Sequence, residues 1–168
     1  MTAQIETIKI RNDIFDFLKN HPRLKNDGEI EYPTGEGVMV PAVKVSRWEK
    51  FPFVDWLIGG TPSVHVYFER ENLLRFSTSR RQNGLEMVVA CVTTCSTRSC
   101  SMDGTAILAK IVQQCLEERP KVGNGYGQAK GTVPKVEFDS APSGNDKFAI
   151  MANVQLTVNY FEETTTGR

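Results

Sequence analysis

Phe148–Glu162, FAIMANVQLTVNYFE, is the stretch on which the fold turns. Phe148, Ile150, Ala152, Val154, Leu156, Val158 and Tyr160 fall on one side of a period-two pattern, and Asn153, Gln155, Thr157 and Asn159 on the other, with Lys147 just ahead. Alternation of this kind predicts a long β-strand with one face packed and the other turned to water or a partner. The polar face is made of amides and a hydroxyl and holds no acid.

Working back from this strand, Asp139–Asp146 is a loop and Val133–Phe138 a short strand before it. Upstream, Gly123–Gly131 carries four glycines but no Gly-Lys-Ser/Thr ending and no G-x-G-x-x-G order, so it reads as a flexible connection rather than a phosphate cradle. Ile107, Leu108, Ile111, Val112, Cys115 and Leu116 recur every three to four residues and predict a core helix, stopped before Pro120 and capped at its start by Asp103. The region from Pro62 to Cys95 reads as a long β-hairpin. Val64, Val66 and Phe68 alternate with His65 and Tyr67, Leu73–Thr78 continues the strand, and Leu85–Cys95 returns. Asn83-Gly84 is the strongest hairpin signal in the chain and places the tip at Ser79–Gly84.

Nearer the N-terminus, Gln4–Asn20 spaces Ile5, Ile8, Ile14, Phe15, Phe17 and Leu18 for one helical face, ended by Asn20-His21-Pro22. His21 is expected at the negative end of that helix. After a polar loop, Val38–Val45 reads as a strand whose Pro41 suits an edge. Trp48–Gly60 has large apolar side chains without a period and fits either a loop over the core or an exposed patch. Glu162–Arg168 is a polar tail expected to fray.

The 168 residues are enough for one core, read as a single domain over 1–168. Twenty basic side chains balance twenty acidic ones, so no long-range field draws the chain to nucleic acid or an anionic membrane. No apolar run approaches the roughly 20 residues that span a bilayer, and the alternating start MTAQIETIKIRNDIF is unlike a signal peptide, so a cytoplasmic origin is expected. Four cysteines in such a setting read as buried thiols rather than a disulfide frame. Cys91 and Cys95 share a strand face but lie about 13 Å apart along it, too far for one zinc ion or a disulfide. Cys95 and Cys100 could meet if the loop between them folds back, with Cys115 as a third thiolate, but no C-x-x-C and no placed histidine completes a metal set. Cys91 and Cys115 read as small buried apolar groups. His21 and His65 have no Ser, Cys or paired carboxylate in a motif context, and His65 reads as a sheet-face residue rather than a base. No catalytic, metal or cofactor residue is expected, and no enzyme.

The order of elements then has two specific details: the Ile5–Leu18 helix followed by VPAVKV, and the closing GTVPKVEF…FAIMANVQLTVNYFE. This order resembles the tail terminator family of long-tailed bacteriophages, also called tail-completion or tail-to-head joining proteins, over nearly the whole chain. FPFVDWLIGG and the four cysteines depart from the pattern. The resemblance implies an α+β single domain, a mostly antiparallel β-sheet with a long hairpin packed against two α-helices on one face. It implies a virion protein of the tail or neck, assembled in the host cytoplasm, whose copies close into a hexameric ring. The ring caps the tail tube protein, stops its polymerisation and joins the head–tail connector or stopper, with the sheath protein a further neighbour. DNA passes through its lumen, and no membrane is involved. A ring needs two different patches that meet between neighbours. Candidates are the hairpin residues Arg80, Arg81, Gln82 and Asn83, the loop residues Gly125, Tyr126 and Gly127, the strand residues Asn153, Gln155, Thr157 and Asn159, and Trp56. Competing expectations are another neck component, a small Cys-dependent metal-binding regulator or enzyme, and a dimeric adaptor using FPFVDWLIGG.

Overall fold

A computed structural model describes residues 5–32, 37–52, 60–118, 121–122, 125–126, 135–141 and 148–163. In chain order the elements are α1 (Glu6–Lys19), a 3-10 turn (Pro22–Leu24), β1 (Gly28–Glu31), β2 (Met39–Ala42), β3 (Arg47–Glu49), β4 (Ser63–Phe76), β5 (Arg80–Cys95), α2 (Arg98–Glu117), β6 (Lys121–Val122), β7 (Gly125–Tyr126), β8 (Lys135–Ala141) and β9 (Phe148–Glu163). Among the described residues seven strands form one sheet in the order β3-β4-β5-β9-β7-β6, with β8 also on the outer side of β9. All its pairings are antiparallel except β3 with β4. The molecule is α+β, the class that the resemblance in element order implies.

β9 is central. It pairs with β5 along its whole length, from Arg80 opposite Glu163 to Cys95 opposite Phe148, and with β8 on its other side over 149–155. Its even-numbered residues from Ala152 to Tyr160 share one buried face with Leu85, Met87, Val89 and Cys91 of β5 and Val64 and Val66 of β4. Both helices cover that face, through Ile10, Ile14, Phe15 and Leu18 of α1 and Leu108, Ile111, Val112, Cys115 and Leu116 of α2. The helical period was right, but the stripe on α1 is rotated: Ile10 is buried, and Ile5 lies exposed at the N-cap. On α2, Ile107 is 48% exposed because the face runs through Thr105, Leu108 and Val112 instead.

Thr97, not Asp103, caps α2. Its hydroxyl accepts the Cys100 N–H at 3.2 Å, which starts the helix at Arg98 and leaves Asp103 inside it. A seam of hydroxyls holds this end of α2 to the sheet. Ser101 Oγ donates to the Thr93 carbonyl at 2.8 Å, Thr93 Oγ1 donates to the Ser101 carbonyl at 2.9 Å, and Thr105 Oγ1 donates to the Ile150 carbonyl at 2.9 Å. These groups are buried, so each bond spares a desolvated polar atom. Gly104 permits the approach, since a Cβ there would lie 3.2 Å from Thr93 Oγ1.

The hairpin turn is not at Asn83-Gly84. The chain reverses over 77–80, where the Ser77 N–H donates to the Arg80 carbonyl at 2.8 Å and Ser77 Oγ accepts the Arg80 N–H at 3.1 Å. Asn83 and Gly84 lie inside β5, opposite Leu73 and Asn72 on one side and Tyr160 and Asn159 on the other. A turn there would abolish four residue pairs with β9, from Arg80 to Asn83, and Gly84 serves packing instead. A Cβ on it would come within 3.4 Å of both Leu74 Cδ1 and Asn159 Oδ1.

Three further differences follow from tertiary contacts. Cys95 and Cys100 form a disulfide, with Cα atoms 5.8 Å apart, because the tight passage from β5 into α2 folds the chain back on itself. Glu162 and Glu163 are not in a frayed tail but complete β9 opposite Arg81 and Arg80. Gly28–Glu31, within the predicted polar loop, forms a two-stranded sheet with Met39–Ala42 and places Pro41 opposite Glu29. Arg23 fastens this small sheet to the body, donating from Nε to the Pro41 carbonyl at 3.0 Å and from Nη1 to Gln114 Oε1 at 2.8 Å.

Replacing Leu108 with alanine is expected to lower stability by about 2–5 kcal/mol, whereas Ile107→Ala should change it by about 0.5 kcal/mol or less. Urea unfolding of both variants checks this, and equal losses would contradict the orientation of α2.

Candidate functional site

The candidate contact residues fall on two regions of the sheet. Arg80, Arg81, Gln82 and Asn83 open β5, hydrogen-bonded between β4 and β9 rather than displayed on a loop. Arg81 Nη1 lies 3.9 Å from Glu162 Oε2, and Asn83, almost fully buried, donates from Nδ2 to the same carboxylate at 3.1 Å. The Arg80 guanidinium stacks 4.5 Å above the Phe161 ring and Arg81 stands 5.9 Å from Phe76. Arg80 and Arg81 are thus accessible, each held by an aromatic ring, while Asn83 is spent inside the fold.

Asn153, Gln155, Thr157 and Asn159 line the sheet face opposite the helices, as alternation requires. Thr157 is exposed and the three amides are half-buried. Asn153 Oδ1 is enclosed and accepts no hydrogen bond. In the register Asn153 stands opposite Ala90, Gln155 opposite Val88 and Asn159 opposite Gly84. Gly125 and Tyr126 form β7, with Tyr126 opposite Asn159, so the glycine-rich stretch reaches the same strand. Gly127 and Trp56 lie outside the described residues, as does most of FPFVDWLIGG.

This second face is not uniformly open. Val88, Ala90 and Val92 of β5 and Ser63 and His65 of β4 are buried on it. His65 was expected on a sheet face and is enclosed there. Its Nδ1 is 3.0 Å from the Phe51 carbonyl, which can only accept, so Nδ1 carries the proton. Nε2 then accepts from Ser63 Oγ at 3.0 Å. A serine hydroxyl on a histidine nitrogen is the start of a nucleophilic pair, but both side chains are fully buried. Burial holds the imidazole pKa below its usual 6.5, outweighing the favourable carbonyl contact.

The other chemistry-bearing residues are also engaged. His21, placed just beyond α1 rather than in its last turn, accepts the Arg23 N–H at Nδ1 and donates from Nε2 to Glu118 Oε2 at 3.2 Å. It borders an open recess of about 370 Å³ lined by Asp16, Phe17, Asn20 and Pro22. Cys115 is buried away from the disulfide, its thiol pushed up to about 12 by desolvation, and burial raises Cys91 further. Among the described residues no group of three His, Cys, Asp or Glu could hold a metal ion.

What the sequence did not disclose is the character of the distal arm. From Phe68 to Arg80 every residue is exposed, and Leu73, Leu74 and Phe76 show 58%, 50% and 64% of their surface. Phe68 and Phe161 are exposed beside them. Clusters of large apolar groups on an arm of this kind mark contact with another molecule. The signal was present in Leu73-Leu74 and Phe76 set among charges, but alternation does not reveal whether a face is covered. The chain was compared with protein-family models and with curated proteins, and nothing matches.

His65 makes stability depend on pH. Above about 6.5 the imidazole is neutral in both folded and unfolded chains. As pH falls below that value the unfolded chain takes up the proton first, so stability declines until the lowered folded pKa is passed. The drop in urea midpoint between pH 7.5 and 5.5 should be smaller in His65→Gln than in the parent, and equal drops would refute the assignment.

Proposed function

We propose that this chain is a structural subunit of a long-tailed bacteriophage virion, a tail terminator whose copies close into a hexameric ring on the tail tube. The observation that carries the proposal is the architecture: a sheet with both helices on one face and an exposed apolar arm of β4, β5 and the end of β9 projecting beyond them. The resemblance in element order leads to the same class of fold. An arm with bare leucine and phenylalanine side chains suits a protein completed by its neighbours, because such side chains lose about 25 cal/mol of unfavourable hydration for each Å² covered.

A ring also needs a second, different patch for the arm of the next subunit to meet. The amide face around Asn153 and Asn159, with exposed Thr157 among them and β7 beside it, supplies polar partners. In this arrangement the ring ends the tube on one side and offers the opposite side to the head connector. No helix among the described residues is long and apolar enough to cross a membrane. Balanced charge leaves a lumen that DNA can traverse without strong retention.

Purified protein mixed with tail tubes should form six-fold rings at one end only, seen by negative-stain microscopy, and should halt further tube growth. Binding to a connector but not to the tube would reassign it to another part of the neck. Failure to bind either would overturn the virion role.

A further inference from the structure

The outer edge of β4 has no partner strand beyond His65 among the described residues, since β3 pairs only with Ser63–His65. An exposed edge offers a row of backbone donors and acceptors to any strand that fits. The edge reads Phe68-Glu69-Arg70-Glu71-Asn72-Leu73-Leu74-Arg75-Phe76. Arg70 is taken up by Glu86 and Glu71 accepts the Tyr160 hydroxyl. Glu69 and Arg75 are exposed and make no ion pair with any described residue. They have opposite signs and stand three residues to either side of Asn72, with Phe68 and Phe76 one step further out.

We infer that this edge pairs with the same edge of a second copy, antiparallel about a two-fold axis at Asn72, with Glu69 of each chain opposite Arg75 of the other. Two-fold pairing puts Phe68 opposite Phe76 in the same way, so the match of charge and ring holds twice over. Leu73 and Leu74 then lie across from Glu71 and Arg70, whose charged heads are already held within their own chain and whose methylene stems remain for packing. β4 is irregular between Phe68 and Arg70 and again between Leu73 and Arg75, one shift on each side of Asn72. Such bulges discourage a regular foreign strand, and in the two-fold register the shift at Glu69 of one copy falls one residue from the shift at Leu74 of the other. The contact uses β4's free edge and so draws on the same arm that the ring reading employs.

The test is a charge exchange on the full chain. Sedimentation over a range of concentrations should show a monomer–dimer equilibrium for the parent, with amide protection over 68–76 rising as dimer forms. Glu69→Arg and Arg75→Glu each place like charges together in both halves of the contact, and each should weaken the dimer about tenfold or more. The double exchange should restore affinity to within about threefold of the parent. Both positions are exposed, so the unfolding midpoint of the monomer, measured well below the dimer's Kd, should barely move. A monomer at all concentrations, a dimer unaffected by single reversals, or a double variant no better than the singles would overturn the inference. A six-fold ring that survives all three variants without two-fold pairing would overturn it while leaving the tail role standing.

Discussion

The register between β5 and β9 is the constraint on which the rest of the molecule depends. Sixteen successive residues of one strand face sixteen of the other, from Arg80 with Glu163 to Cys95 with Phe148. A slip by one residue would turn Val154, Leu156, Val158 and Tyr160 away from the helices and bring Asn153, Gln155 and Asn159 under them. Burying three unpaired amides and exposing that apolar row would cost far more than any local preference in the chain can supply. The helices, the hydroxyl seam at Thr93 and the position of the disulfide all presuppose this alignment.

The same constraint explains what could and could not be read in advance. The faces of α1 and α2 and the alternation of β9 were legible because each depends on one element meeting one core. Ile10 was left out of the stripe on α1 and Ile107 was included in that on α2, since periodicity locates a stripe less sharply than neighbouring elements do. Asn83-Gly84 failed as a turn because its preference is local, while β9 extends the pairing past it to Arg80; the Ser77 hydroxyl then supplies a turn whose signal is weak in sequence. Thr97 displaced Asp103 as the cap for a related reason: β5 ends at Cys95, so the helix starts as soon as the chain has turned.

Where the candidate contact residues lie in the fold was legible in part. The amide row was found on the correct face of β9, but its position beside buried Val88 and Ala90 depends on strand order, which one chain's pattern does not contain. Arg80 and Arg81 were found as accessible residues for the wrong structural reason, and Asn83 was assigned to a surface it does not reach. Leu73, Leu74 and Phe76 look like core residues in any pattern-based view. Among the described residues no helix covers the outer part of β4, whereas Val64 and Val66 on the same strand lie in the core under the helices.

The middle position of β9 has a consequence for how the molecule is made. It is made after β5 and α2, yet it joins β5 to β8 and shares with β5 the face that α2 covers. Until it emerges, the β4–β5 ribbon has a bare inner edge, and Leu85, Met87 and Val89 lack their lateral neighbours. The nascent chain therefore passes through a sticky interval that closes only when β9 is inserted between β5 and β8.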